Sequence, residues 1–177
     1  MTPDSEPDAD SESDGTFIAR MTPLFEGAPR FLARLANARP FDSDGELFDK
    51  ALDIALVMPQ EEQIELVNAH PRLGASPNSV SAMSYHEQGY DREPDAARKD
   101  AAPNLAAELA RLNDAYEARF GFRYCTFVAG RSREALLPEM RVALGGDRDA
   151  ELERALRAVV DIASDRHGKQ VREGTRP

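Results

Sequence analysis

The chain has 177 residues, of which 41% are hydrophobic, and a formal net charge of −10. This length is enough for one domain with its own core and is short for two. The negative charge argues against a nucleic-acid partner, which would need a basic surface, and no apolar run is long enough to cross a bilayer.

The N-terminal segment is strongly acidic: its first fifteen residues carry six acidic and no basic side chains. Such a segment buries too little apolar surface to offset the entropy of ordering. We therefore predict a disordered tail at 1–15, one domain at 16–172 and a short C-terminal tail at 173–177. No secretory signal is visible, and Cys125 is the single cysteine, so no internal disulfide is possible and a cytoplasmic location is expected.

Helical signals dominate from residue 28 onward. Pro29 begins a short helix to Leu35, and Asp42 or Ser43 caps a second helix. A third helix begins at Pro59. It ends near His70, because Pro71 disfavours helical backbone in the residue before it.

The second half of the chain alternates loops with longer helices. Residues 71–81 are rich in Gly, Pro, Ser and Asn and predict a loop, whereas 124–130 is apolar and β-prone. With no partner strand visible elsewhere, we interpret 124–130 as a buried extended connection. The pattern predicts helices at Ala82–Tyr90, Pro103–Phe120, Ser132–Leu144 (bent by Pro138) and Asp149–Val171. The chain is thus expected to be all-α, a single-domain irregular bundle of about six to eight helices.

The last predicted helix carries an arginine on its apolar face. At 100° per residue, Arg166 lies about 20° from Val159. Either the helix frays here and the guanidinium reaches solvent, or the arginine is buried and binds an anion such as a substrate carboxylate. The apolar stripe consists of Leu152, Leu156, Val159, Ile162 and Ala163.

A histidine and a polar cluster offer acid–base chemistry. His70 stands at a helix end beside a flexible loop, and histidine titrates near neutral pH. Ser84–Gln88 places hydroxyl, imidazole, carboxylate and amide groups within five positions, as a polar pocket wall would need. By spacing alone, His70 is equally a capping or surface residue, and the cluster is equally a solvated helical turn.

Metal binding is not indicated by the sequence. His70, His86, His167 and Cys125 match no compact zinc pattern, and no phosphate-binding glycine loop or nucleophile elbow is present. We predict no metal site.

Several motifs, in order, resemble one enzyme family. Asn68–Gly74 (NAHPRLG) resembles the His-Pro motif of 2-oxo-4-hydroxy-4-carboxy-5-ureidoimidazoline decarboxylases, and Ser84–Gly89 (SYHEQG) resembles their Ser-x-x-Glu-Gln motif. Leu112–Phe122 resembles the stretch that leads to their buried substrate-contacting segment, here Tyr124–Val128, and Gly130–Ser132 resembles the turn that follows. The resemblance extends over roughly residues 16–172. Asp165 and His167 replace the leucines that flank the family's arginine, here Arg166.

The resemblance implies an all-helical, often dimeric enzyme that uses no cofactor. It implies decarboxylation of the ureidoimidazoline formed during urate degradation, giving (S)-allantoin and carbon dioxide. His70 takes the place of the catalytic histidine, which we expect to donate a proton. Glu87 would hold His70 or the substrate, and Arg166 would anchor an anionic part of the substrate. The expected substrate-binding residues are Pro71, Ser84, Tyr85, His86, Gln88, Tyr124, Cys125, Thr126, Phe127 and Val128.

Two alternatives remain open at this point. One is a non-catalytic helical interaction module with the acidic tail as its binding arm. The other is the same scaffold acting on a different small anionic substrate. No membrane or nucleic-acid partner is expected, and a homodimer is expected from the resemblance.

Overall fold

The computed structural model describes residues 12–91 and 102–174. Within these ranges the fold is all-α, as predicted, with no strand and with no helix long and apolar enough to span a membrane. The elements are α1 (Asp14–Met21), α2 (Pro29–Asn37), α3 (Asp44–Val57), α4 (Gln60–Ala69), a 3-10 turn (Pro77–Ser79), α5 (Ala82–Glu87), α6 (Ala102–Phe120), α7 (Arg133–Ala143) and α8 (Arg148–Gly174).

Helix α1 is a feature that the sequence analysis missed. Ser13 caps it by accepting a hydrogen bond from the Thr16 amide, and its buried Phe17 and Met21 lie one turn apart on the same face. The predicted tail boundary at residue 15 is therefore wrong, since Asp14 and Gly15 are helical. Residues 1–11 of that tail lie outside the described residues. At the other end, α8 continues to Gly174, past the predicted boundary at residue 172.

Helix α8 is the central element of the bundle, packing against α3 and α4. Its predicted apolar stripe is confirmed, because all five of its members are buried. Each fully buried leucine or valine of this kind stabilises the fold by roughly 1.5–3 kcal/mol. Arg166 lies on the same face and is only 2% exposed, so the alternative of a frayed, solvated helix end is excluded.

Helix α4 ends where the proline rule predicts. His70 has extended backbone (φ −75°, ψ 141°) directly before Pro71. The segment 123–128 is also non-helical and connects α6 to α7, as predicted. Ala129 and Gly130, which were expected to continue a buried extended connection, instead form an exposed turn with positive φ. The end of α4 and the 123–128 segment therefore bring two stretches of irregular backbone to one side of α8.

Candidate active site

A cavity of about 810 Å³ opens between the end of α4, helix α5, the 124–130 segment and the last turns of α8. This volume lies within the range that small-molecule sites occupy. Its lining includes all but one of the residues that the sequence analysis selected. Those lining residues are His70, Pro71, Ser84, His86, Glu87, Gln88, Tyr124, Cys125, Thr126, Phe127, Val128 and Arg166.

His70 is buried in the cavity wall at 4% exposure. Its Nδ1 lies 3.4 Å from the carbonyl oxygen of Leu66, which can only accept, so the proton is favoured on Nδ1. Its Nε2 is buried and has no hydrogen-bond partner among the described residues. Burial, followed by the positive charge of Arg166, lowers the pKa of His70 to about 4, while Glu26 opposes this shift. At neutral pH, His70 is therefore a neutral imidazole with a lone pair on Nε2.

Glu87 and Arg166 form a bidentate ion pair. Arg166 donates from Nε to one carboxylate oxygen of Glu87 at 2.6 Å and from Nη2 to the other at 2.7 Å. Its Nη1 donates to the carbonyl oxygens of Pro23 (2.9 Å) and Leu24 (3.3 Å). Because Nη2 also faces Ser84 Oγ at 3.1 Å, each of the five guanidinium N–H groups has a protein acceptor. The predicted anchoring of substrate by Arg166 would require one of these bonds to break.

Glu26 is the second carboxylate on Arg166 and was not among the predicted site residues. One of its oxygens lies 2.9 Å from Arg166 Nη2 and accepts hydrogen bonds from Ser81 and Ser84, each at 2.7 Å. Burial alone would raise the pKa of Glu26, but the two hydroxyl donors and the charge of Arg166 together lower it. Glu26, Glu87 and Arg166 thus form a nearly buried cluster with a net charge of −1.

Ser84 and Gln88 use their polar groups within the protein. The Ser84 hydroxyl donates to Glu26 at 2.7 Å, so its proton is engaged. The Gln88 amide oxygen accepts from the Gly74 amide at 2.7 Å, and its Nε2 donates to the carbonyl of Arg72 at 3.2 Å. Gln88 therefore holds the loop after Pro71 against α5, and one Nε2 hydrogen is left for a ligand.

Gly74 is required by this loop geometry. It has φ +79°, and a Cβ placed on it would lie 2.7 Å from Leu109 Cδ1. Gly121 has a similar φ of +81° with nothing within 4 Å of such a Cβ. We expect Gly121→Ala to lower the free energy of unfolding by about 1–2 kcal/mol through backbone strain alone, and Gly74→Ala to lower it further. Urea unfolding of both variants measures the difference, and equal losses would contradict the close approach to Leu109.

Tyr85 and His86 have different surroundings from those predicted. Tyr85 does not line the cavity: its ring packs on Tyr90, with centroids 5.4 Å apart. Tyr85 is thus the one expected substrate-binding residue outside the cavity lining, and its contact with substrate stays a prediction. His86 lines the cavity from the rim, where its exposed Nδ1 lies 2.9 Å from Asp91 Oδ2.

Cys125 is a wall residue with little reactivity. It is 5% exposed, and burial raises the pKa of its thiol to about 12. We expect iodoacetamide at pH 8 to leave Cys125 unmodified in the folded protein and to alkylate it in guanidinium chloride, as mass spectrometry would show. Equal rates in the two states would contradict the burial.

A metal centre is not evident in this cavity. Within residues 12–91 and 102–174, no three His, Cys, Asp or Glu side chains come together as metal ligands would. The cavity wall offers the buried imidazole of His70, the exposed imidazole of His86 at the rim, a carboxylate–guanidinium cluster and the polar groups of the 124–128 segment.

Comparison with known proteins points to one family. Residues 10–168 match the family described as OHCU decarboxylase. The chain is 26% identical over 158 residues to the "Uric acid degradation bifunctional protein" of Bacillus sp. (strain TB-90), covering 89% of this chain and 30% of that protein. It therefore spans about three tenths of that relative's length. It is 27% identical over 151 residues to the 2-oxo-4-hydroxy-4-carboxy-5-ureidoimidazoline decarboxylase of Haloferax volcanii, covering 85% of this chain and 86% of that protein.

The same fold occurs among solved structures. A crystal structure of an OHCU decarboxylase in the presence of (S)-allantoin matches with a TM-score of 0.67 and 20% sequence identity. The match covers 90% of this chain and 98% of the other.

Proposed function

Since the chain belongs to the OHCU decarboxylase family, we propose that it decarboxylates 2-oxo-4-hydroxy-4-carboxy-5-ureidoimidazoline to (S)-allantoin and carbon dioxide. The observation that carries this proposal is the buried, neutral His70, whose Nε2 has no partner among the described residues and which lines a cavity of about 810 Å³. The proposal concerns this domain's reaction only.

The reaction needs a group that carries a proton. When the bond to the carboxylate breaks, carbon dioxide leaves and the electron pair stays in the substrate ring, which can delocalise it. A proton must then reach one ring carbon from one face, because allantoin is formed as a single enantiomer. Since His70 is neutral at rest, it first accepts a proton at Nε2, for which the substrate hydroxyl is a source. It then acts as the donor that the sequence analysis predicted.

The carboxylate–guanidinium cluster is assigned a positioning role. Glu87 lines the cavity, where its carboxylate can accept a hydrogen bond from a substrate N–H. Arg166 fixes the rotamer of Glu87 through two hydrogen bonds. When His70 carries a proton, the carboxylate of Glu26 stabilises the imidazolium, whereas the charge of Arg166 disfavours it. Main-chain amides of residues 124–128 remain the predicted ligands of the substrate's polar groups.

The pH dependence of activity follows from the state of His70. Because its pKa is lowered to about 4, we expect kcat/KM to stay level as the pH falls from 8 to about 5.5 and to decline only near pH 4. The same shift makes His70 favour the folded state above its unfolded pKa of about 6.5, and this contribution is lost as pH falls from there toward 4. A pH–rate profile with its acidic inflection near 6.5 would contradict a buried neutral His70.

The catalytic proposal is tested by generating the unstable substrate from urate with urate oxidase and hydroxyisourate hydrolase. We expect the chain to accelerate both the decay of substrate absorbance and the release of one equivalent of carbon dioxide. Decay at the uncatalysed rate would remove this function. Acceleration with another small carboxylate alone would favour the alternative substrate.

Assembly and location also remain proposals. We propose a homodimer, to be measured by light scattering after size-exclusion chromatography, with a monomer at micromolar concentration as the contradicting result. We propose a cytoplasmic location, consistent with the free thiol of Cys125. Cell fractionation tests it.

A further inference from the structure

Arg123 bridges the two irregular stretches that form the cavity wall. It lies in the non-helical connection just before Tyr124, and it is partly buried. Its Nη1 donates to the carbonyl oxygens of Asn68 at 2.8 Å and of His70 at 3.0 Å. Its main-chain amide donates to Asn68 Oδ1 at 2.9 Å. Three hydrogen bonds therefore join the end of α4 to the start of the 124–128 segment.

These bonds satisfy groups that α4 itself leaves without donors. The last carbonyls of a helix have no intrahelical partner, and a cation near them also interacts favourably with the helix dipole. Pro71 has no amide hydrogen, so it cannot help to satisfy them. Arg123 supplies this donor from 53 residues away, and one of its two acceptors is the carbonyl of His70 itself.

The side chain of His70 is buried but weakly hydrogen-bonded. The described residues give its ring one hydrogen-bond contact, Nδ1 to the Leu66 carbonyl, at the long distance of 3.4 Å. The direction of its Cα–Cβ bond, and hence the position of Nε2, is set by backbone that Arg123 restrains. Arg123 does not itself line the cavity.

We propose that Arg123 is a positioning residue for His70, holding the His70 backbone against the 124–128 segment so that Nε2 is aligned for proton transfer. This inference rests on the proposed function. A positioning role and a purely structural role affect different quantities. Proton transfer depends on the placement of Nε2, so loss of positioning lowers kcat, whereas substrate binding uses the whole cavity, so KM should change little.

The test compares Arg123→Met with Arg148→Met as a matched control. Arg148 also donates to a helix-terminal carbonyl, that of Phe120 at 3.0 Å, and lies over an aromatic ring, but does not contact His70. Misplacement of a reacting group by about 1 Å costs on the order of 10²-fold in rate. We expect Arg123→Met to lower kcat by about 10- to 100-fold with little change in KM. We expect Arg148→Met to keep the wild-type kcat, even if its melting temperature falls as much as that of Arg123→Met.

Two milder variants keep the test decisive if Arg123→Met does not fold. Arg123→Lys can still donate to both carbonyls and should recover most of kcat, while Asn68→Ala removes the acceptor of the Arg123 amide and should lower kcat with KM kept. Equal kcat values for wild type, Arg123→Met and Arg148→Met would overturn the inference, as would an unchanged kcat in Asn68→Ala. An inactive wild-type chain would instead count against the proposed function.

Discussion

Replacing His70 with alanine is expected to lower kcat by about 10²–10⁴-fold, the range that a single acid–base group contributes. The substitution removes the one imidazole of the described cavity wall whose buried nitrogen has no protein partner. It leaves the guanidinium cluster in place. Because proton delivery to one face also sets the configuration at the new stereocentre, the residual product should be racemic.

His167→Gln is the matched control for this experiment. His167 is also largely buried, packing on the ring of Phe48, but does not line the cavity. Its replacement should leave kcat within about twofold, as expected for a substitution that removes no acid–base group from the site. Undiminished turnover by His70→Ala, or equal losses of kcat in His70→Ala and His167→Gln, would contradict the assignment of His70 as the proton donor.

Replacing Arg166 with methionine is expected to lower the free energy of unfolding by about 3–5 kcal/mol, because it leaves buried charges without their partner. The side chain of Arg166 is 2% exposed, against 13% for Glu26 and 18% for Glu87. Both carboxylates would have to be protonated or exposed to water. Chemical denaturation at pH 7 measures this loss, and activity should fall with it because Glu87 is no longer held.

A surface pair and a compensating variant make this prediction specific. Arg34 forms a similar bidentate pair with Glu62, but Arg34 is 45% exposed, so Arg34→Met should lower the free energy of unfolding far less than Arg166→Met does. Adding Glu26→Gln and Glu87→Gln to Arg166→Met removes the uncompensated charges and should restore part of the stability. Equal losses in the two single variants, or no recovery in the triple variant, would contradict a buried charge cluster.

The local rules of helix formation account for most of the fold that was predicted. Ser43, one of two expected caps, caps α3, and Ser132, where the next-to-last helix was predicted to begin, caps α7. Pro71 ends α4 at His70. The stripe on α8 identified its buried face. Helix α1 was missed because its short apolar pattern follows the acidic run, whose composition alone indicates disorder.

These local rules do not predict which side chains bond to one another within the site. The helical period showed that Arg166 is buried and must have an acceptor, which is correct. It could not show that Glu26, 140 residues away in a turn with left-handed backbone (φ 56°), supplies part of that acceptor. Likewise, the Ser-x-x-Glu-Gln motif indicated only which residue types belong to the site, and it did not indicate their contacts. Only tertiary packing determines that Gln88 bonds to the loop at Gly74 and that Tyr85 packs on Tyr90 outside the cavity lining.

The most direct test of the account is the circular dichroism of allantoin formed by the wild-type chain at neutral pH, with the substrate generated by the two upstream enzymes. Proton delivery by His70 to one face of the substrate predicts growing optical activity of the sign of (S)-allantoin. The rate of this growth should be proportional to the amount of protein added. Allantoin that accumulates without optical activity, at a rate independent of the chain, would contradict it.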